Sequence, residues 1–157
     1  MAISLKVLGG IFLLLVSSSM LVFLTVISNP YLFLDKEKII LDNNLYAEAP
    51  RDSIFINHLN INNQYLIINF SYGGGCQKHE FYLIGSEEYM ESYPVQTNIL
   101  LSHNSNNDSC LAWFTEVKIF DLTPLQHQYQ ELYSVKSATI ILRIQGGQEV
   151  FSIDFTF

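Results

Sequence analysis

The chain has 157 residues, of which 49% are apolar and 15% are charged, and its 15 acidic and 8 basic residues give a net charge of -7. This length fits one domain with a targeting segment, and the composition excludes intrinsically disordered and collagen-like chains. A surface with this charge repels phosphate backbones, so we expect no nucleic-acid partner.

The N-terminal segment, residues 1–28, contains one charged residue, Lys6, followed by an apolar run over residues 7–27. A membrane-spanning helix needs roughly 20 apolar residues, whereas the apolar region of a signal peptide has about 7 to 15. The run therefore predicts a hydrophobic helix that is either a retained signal anchor or a signal peptide cleaved after Ser28. Both alternatives place the rest of the chain on the exported side of the membrane, anchored in the cell envelope or secreted to the periplasm. A retained helix would make the membrane a partner.

The rest of the chain divides at about residue 53. Residues 29–52 lack strong periodicity and are predicted to form a stalk or a first edge strand. Residues 53–157 contain short runs rich in Ile, Val, Tyr, Phe and Thr that alternate with Asn and Gly, a pattern typical of an all-β domain. Seven strands are predicted, over residues 53–61, 65–72, 79–84, 95–103, 110–121, 137–145 and 148–157.

Local signals within this region refine the fold. Leu66, Ile68, Phe70 and Tyr72 share one face of the second strand, and the strand at residues 110–121 is apolar on both faces, which predicts a central position. One short helix is predicted over residues 124–132, with Thr123 as its N-cap. Gly146-Gly147 suits the positive φ angles of a tight hairpin turn. Together these features predict a Greek-key-type β-sandwich of about seven strands with one short helix.

Two loops are predicted between the strands. Residues 85–92 form a loop with one helical turn, and Tyr89, Met90 and the neighbouring Tyr93 give it the large contact area with polar edges that is typical of protein interfaces. We therefore predict a partner-binding surface at these three residues; the alternative is that the two tyrosines cap one end of the core. Residues 104–109 lack the acidic ligands of a calcium loop and are predicted to form a polar hairpin loop.

Cys76 and Cys110 are the only two cysteines, and an even number in an exported chain predicts one disulfide. Two alternatives remain open: two free thiols, or a zinc or copper site formed by Cys76, His79, His103 and Cys110. If they bind no metal, the two histidines are expected to satisfy buried backbone groups beside the disulfide.

The sequence contains no motif for an activated nucleophile, a zinc protease or a phosphate-binding loop, so we predict a chain that is not an enzyme and has no cofactor. The predicted function is an exported binding or structural module of the cell envelope, with an envelope protein or ligand as its partner. The alternatives are metal handling by the Cys/His set and an enzyme whose site is assembled from residues distant in sequence.

The chain resembles small exported β-sandwich domains of uncharacterised bacterial lipoproteins and envelope proteins over about residues 60–130. It differs from the lipoproteins because its leader has no lipid-accepting Cys. The resemblance implies that the Gly/Cys/His cluster is a shared structural node, and it implies no particular activity. The motifs that carry it are Gly73-Gly74-Gly75-Cys76, His79-Glu80-Phe81, Ser92-Tyr93-Pro94-Val95, His103 through Cys110, and Phe120-Asp121-Leu122-Thr123-Pro124-Leu125.

Overall fold

A computed structural model describes residues 34–157 of the chain. The predicted N-terminal helix and its cleavage point lie outside the described residues. In the described part, no helix combines the length and the apolar character that crossing a bilayer requires.

The described residues form nine strands and two helices. In chain order they are β1 (Lys36–Lys38), β2 (Ile40–Leu41), α1 (Asn43–Glu48), β3 (Phe55–Asn62), β4 (Tyr65–Gly74), β5 (Glu80–Met90), β6 (Gln96–Asn104), β7 (Ala112–Asp121), α2 (Thr123–Tyr133), β8 (Thr139–Gly146) and β9 (Glu149–Thr156). The seven predicted strands correspond to β3 through β9, and the fold is mostly β as predicted.

The strands form two sheets, with the orders β1-β7-β4-β3 and β2-β5-β6-β8-β9. One hydrophobic core takes side chains from both sheets, so the sheets pack face to face. In β4 the alternate residues Leu66, Ile68, Phe70 and Tyr72 are all buried, which is the face that their spacing predicted. Facing core residues from the second sheet are Phe81, Leu83, Ile99, Leu101, Leu142 and Phe155.

Three strand pairs are parallel, namely β1 with β7, β2 with β5 and β6 with β8. This differs from the Greek-key arrangement predicted from the sequence, which is built from antiparallel neighbours. Parallel neighbours need a crossover connection. Between β6 and β8 the crossover consists of β7 and α2, which carry the chain to the first sheet and back.

The segment predicted as a stalk or first edge strand contributes edge strands to both sheets. The Ile39 N–H donates to Asp121 O at 3.1 Å in the first sheet, and the Asp42 N–H donates to Gly85 O at 3.2 Å in the second. The compact unit begins at Leu34. Residues 36–41 therefore fit the edge-strand alternative, and the sheets incorporate residues upstream of the predicted boundary at 53.

The prediction of a loop over residues 85–92 is wrong for most of that range, because β5 continues through Met90. The pairing of β5 with β6 is irregular between Gly85 and Tyr89, and it resumes with Tyr89 opposite Thr97. The buried Thr97 hydroxyl donates to Glu88 O at 3.2 Å, and the Glu87 N–H donates to Asn43 Oδ1 at 2.9 Å. These bonds satisfy backbone groups at the irregularity, so the acidic stretch stays in the strand instead of forming a helical turn.

Two further local predictions need correction. At the start of α2, Thr123 does not cap the helix; its N–H and hydroxyl both donate to Asp121 Oδ1, at 2.9 and 2.5 Å. In the last hairpin only Gly147 has a positive φ, of 61°. Gly146 ends β8, and a Cβ there would lie 2.5 Å from Ile56 Cδ1. Gly146 is therefore needed for close packing against β3, not for the turn.

Candidate functional site

The two cysteines form a disulfide between Cys76 and Cys110, whose Cα atoms are 5.8 Å apart. It links the segment that follows β4 to the segment that precedes β7. With both sulfurs bonded to each other, no thiolate is available, so the alternative zinc or copper site at Cys76, His79, His103 and Cys110 does not exist in this disulfide-bonded form. A disulfide also indicates an oxidising, exported location.

Asp108 is the residue that organises this region. Its Oδ2 accepts hydrogen bonds from three successive backbone N–H groups, at Gly75, Cys76 and Gln77, over 2.7 to 2.9 Å. Its Oδ1 accepts from the Cys110 N–H at 2.8 Å. These backbone donors, that of Cys110 foremost, hold the pKa of Asp108 well below its ordinary value. The carboxylate thus joins both segments of the disulfide independently of the sulfur bridge.

The two histidines extend this arrangement into the core. His103 Nδ1 lies 3.0 Å from Ser53 O, which can only accept, so this nitrogen carries the proton. His103 Nε2 lies 2.8 Å from His79 Nδ1, and burial, followed by the nearby His79, lowers the pKa of His103. His79 Nε2 in turn lies 3.2 Å from Asp108 Oδ2. We call Cys76, His79, His103, Asp108 and Cys110 the histidine–disulfide node.

The polar groups of the node are bonded within the protein and shielded from solvent. The side chains of His79 and Asp108 are 3% and 0% exposed, and every ring nitrogen of the two histidines lies against a protein partner. Cys76, Asp108 and Cys110 offer ligand atoms within 4.8 Å of one another, but two of those atoms are the disulfide sulfurs. His103 satisfies a backbone carbonyl, as expected for histidines that bind no metal, whereas His79 contacts the side chains of His103 and Asp108. The node thus holds two loops together.

A solvent-open cleft of about 400 Å³ lies on the outer side of the node. Phe55 of β3 and Trp113 of β7 are 52% and 61% exposed, and their ring centroids are 5.4 Å apart at an interplanar angle of 47°. Leu111 is also exposed, and Asp52 contributes a carboxylate. We call this feature, defined by Asp52, Phe55, Leu111 and Trp113, the aromatic cleft.

The sheet explains why these apolar side chains are exposed. β7 lies between β1 and β4, the central position predicted, but β1 pairs only with residues Ile119 to Asp121. Among residues 34–157, the first half of β7 therefore has a neighbouring strand on one side only. Trp113 is paired with Gly73, which has no side chain, so the indole is not covered from β4 either.

Four uncharged polar side chains continue the same face of the sheet. Asn57 Nδ2 donates to Asn69 Oδ1 and to Ser71 Oγ, both at 2.8 Å. The Ser71 and Thr115 hydroxyls are also 2.8 Å apart. Phe55, Ser71 and Thr115 lie opposite one another across β3, β4 and β7, so these residues share one face. We call Asn57, Asn69, Ser71 and Thr115 the polar row.

The three residues predicted to bind a partner lie elsewhere. The Tyr89 ring packs edge-on against Tyr129 and Tyr133 of α2, and its hydroxyl donates to Gln128 Oε1 at 2.9 Å. Met90 is half-buried at the end of β5, whereas Tyr93 is fully exposed. Tyr89 therefore follows the core-capping alternative, and Tyr93 does not. The partner-binding role of Tyr89, Met90 and Tyr93 stays a prediction.

Comparison with known proteins shows similarity at the level of the fold only. No protein-family model and no curated protein matches the sequence. A protein from Parabacteroides distasonis described as toxin related aligns with a TM-score of 0.54 and 16% identity, over 79% of this chain and 61% of its own. A NigD-like immunity protein from Bacteroides caccae aligns with a TM-score of 0.54 and 14% identity, over 77% and 62%.

A third solved structure, a DUF1344 protein of unknown function from Bacteroides vulgatus, aligns with a TM-score of 0.52 and 16% identity, over 79% of this chain and 56% of its own. The chain thus spans about three fifths of the length of these structures. The predicted resemblance to small bacterial β domains is confirmed at the level of the fold. At this identity the likeness transfers no function.

The sequence predicts no role for Asp108 and no aromatic cleft. Asp108 lies in the predicted polar loop at residues 104–109, although an Asp two positions before a cysteine favours a local turn in which the Asp side chain accepts from the cysteine N–H. Trp113, the one tryptophan of the chain, lies in the strand that is predicted to be apolar on both faces. Its exposure depends on how far β1 extends along β7, which the local sequence does not encode.

Proposed function

We propose that the chain is an exported, non-catalytic binding module of the cell envelope, and that its ligand binds at the aromatic cleft. The exposure of Phe55 and Trp113 on an open sheet face carries this proposal. Two large aromatic side chains in contact with each other and with solvent are costly to hydrate, and such patches commonly mark interaction sites.

The state of the titratable groups supports a non-catalytic role. A general base must reach its substrate with a free lone pair, and a nucleophile needs such a base beside it. In the node, Asp108 accepts four backbone N–H groups, and the nitrogens of His79 and His103 face protein partners. These contacts are those of structural groups, and we interpret Asp108, His79 and His103 as supports of the cleft.

The location in the envelope rests on two further features. The disulfide forms and persists in oxidising compartments, and the leader at residues 1–28 has the composition of an anchor or a signal peptide. If the leader is retained, the membrane is a partner through that helix, and the aromatic cleft faces ligands on the exported side.

Site-specific photo-crosslinking in the producing cell tests the binding function with the full chain in place. A benzophenone amino acid replaces Phe55 or Trp113, and the matched control carries it at Tyr82, an exposed aromatic position in β5 of the second sheet. We expect an adduct of higher mass at positions 55 and 113 and none at position 82. Absence of an adduct at both cleft positions, or an equal yield at position 82, would contradict the proposal.

A further inference from the structure

We infer that the aromatic cleft and the polar row together bind a neutral glycan, with sugar rings stacked on Phe55 and Trp113 and sugar hydroxyls bonded to the polar row. This inference rests on the proposed binding function and specifies the class of its ligand. It combines three observations, namely the aromatic pair, the hydrogen-bonding capacity of the polar row and the charges around the cleft.

The aromatic pair offers two ring faces to solvent. The C–H bonds on one face of a hexopyranose carry a small positive charge and are attracted to the negative face of an aromatic ring. Because the planes of Phe55 and Trp113 are inclined by 47°, each ring can contact a different sugar of a twisted chain. Gly73, opposite Trp113, leaves room for a ligand to approach the backbone of β4.

The polar row offers both a donor and an acceptor. Asn57 uses its Nδ2 group for both of its bonds within the row. Among the described residues, neither Asn57 Oδ1 nor Asn69 Nδ2 has a hydrogen-bond partner, so one carbonyl and one NH₂ group remain available to a ligand. A sugar hydroxyl donates one hydrogen bond and accepts others, so neighbouring hydroxyls match this pair.

The charges around the cleft favour an uncharged ligand. Asp52 and Asp108 line the cleft, and in the described part of the chain no Lys or Arg does so. With a net charge of -7 on the whole chain, a uronate, sulfate or phosphate polymer would be repelled. A basic peptide is less well matched, because the polar row is uncharged and the Asp108 carboxylate is already bonded to four backbone N–H groups.

Affinity electrophoresis tests this inference on the full chain in non-ionic detergent. Native gels contain hydroxyethyl cellulose, galactomannan, xylan or, as an anionic control, polygalacturonate. We expect at least one neutral polysaccharide to retard the protein, and polygalacturonate not to. Trp113→Ala should weaken the retardation by about tenfold or more, as is typical for a central aromatic contact. Asn57→Ala should weaken it less, and Tyr82→Ala, on the second sheet, should leave it unchanged.

The choice of variants distinguishes a loss of folding from a loss of binding. Trp113→Phe keeps an aromatic face and should retain part of the binding, and each variant is compared with wild type by its melting temperature. No retardation by any neutral polysaccharide, retardation by polygalacturonate, or full binding by a folded Trp113→Ala protein overturns the inference.

The crosslinked adducts separate this inference from the proposed function. After proteolysis of the adduct, a peptide around position 55 or 113 that carries a periodate-sensitive added mass supports a glycan. A peptide joined there to a peptide of another protein, or an adduct with twice the mass of the chain, indicates a protein partner or a second copy. In those cases the binding function stands and the glycan is overturned.

Discussion

Gly74 is the residue on which the packing of the node depends most directly. Its φ is 153°, and a Cβ built there would lie 2.5 Å from Cε1 and Nε2 of the His79 ring and 3.0 Å from Asp108 Oδ2. A side chain at this position must displace the histidine or the carboxylate. The run of three glycines thus includes one position where the backbone passes directly against the node.

Gly74→Ala should therefore destabilise the domain by about 2 to 3 kcal/mol, through backbone strain and displacement of His79. Gly73→Ala is the matched control, because its nearest neighbour would be Ala112 O at 3.9 Å, an ordinary contact. We expect it to change stability by less than about 0.5 kcal/mol. Urea unfolding of both variants measures the difference, and equal effects would show that Gly74 does not pack as described.

Asp108 makes the stability of the domain depend on acid pH. Its folded pKa is held below the ordinary 3.8, so as pH falls past that value the unfolded chain binds a proton before the folded chain does. Stability is then present above about pH 4 and is lost as pH falls toward the folded pKa. Asp52 acts in the same direction, because two hydrogen bonds from Ser105 lower its pKa.

Asp108→Asn should lower the melting temperature at pH 7 by about 5 to 10 °C, because the amide presents an NH₂ group to backbone donors. It should also reduce the loss of stability between about pH 5 and pH 3, with the remainder due to Asp52. Denaturant unfolding across this range provides the measurement, with the exposed Asp154→Asn as control. If the unfolding free energy of Asp108→Asn fell with pH as steeply as that of wild type, the Asp108 carboxylate would not be the source of the acid dependence.

The side chains at the end of β5 have the composition of a recognition loop, but they belong to a strand. Tyr89 and Met90 belong to the strand, and Arg143 of β8 reaches the Met90 sulfur at 3.7 Å. Burial, with the neighbouring Tyr133 and Tyr129, also raises the pKa of Tyr89. The three tyrosines fasten α2 to the second sheet.

Tyr89→Ala should cost about 3 to 5 kcal/mol of unfolding free energy, the range for losing a packed aromatic ring. Tyr89→Phe should cost only about 0.5 to 1.5 kcal/mol, for the lost bond to Gln128. Tyr93→Ala should change stability by less than about 0.5 kcal/mol, since that side chain is fully exposed. Thermal unfolding ranks the three variants, and a neutral Tyr89→Ala would restore the loop as a recognition surface.

The mostly-β character of the fold was predictable from the sequence because its signal is local. Strand-length runs rich in Ile, Val, Tyr, Phe and Thr mark β3 to β9, and the parity of the cysteines predicts the disulfide. The aromatic cleft was not predictable, because Phe55 and Trp113 meet only after β3, β4 and β7 align. Parallel pairing was also missed, since β1 and β2 are three and two residues long and their partners lie far along the chain.

The edge strands β1 and β2 belong to different sheets, and the chain between and after them packs on both. Ile39 lies between β1 and β2 and is 3% exposed in the common core, whereas the adjacent Ile40 is 37% exposed. Further along, Ala49 and the half-buried Tyr46 pack against Ile84 and Leu100 on the outer face of the second sheet. Residues 36–49 therefore cover part of the common core and part of the outer face of the second sheet.

A single pair of variants tests whether residues 36–41 are an integral part of the domain or a stalk. Ile39→Ala should destabilise the domain by about 2 to 4 kcal/mol, because it removes buried methyl groups from the core. Ile40→Ala, with the same chemical change one residue later, should cost less than about 1 kcal/mol. Guanidinium unfolding of the full chain measures both. If the segment were a stalk outside the core, the two variants would be equally neutral, and the domain would begin near residue 53 after all.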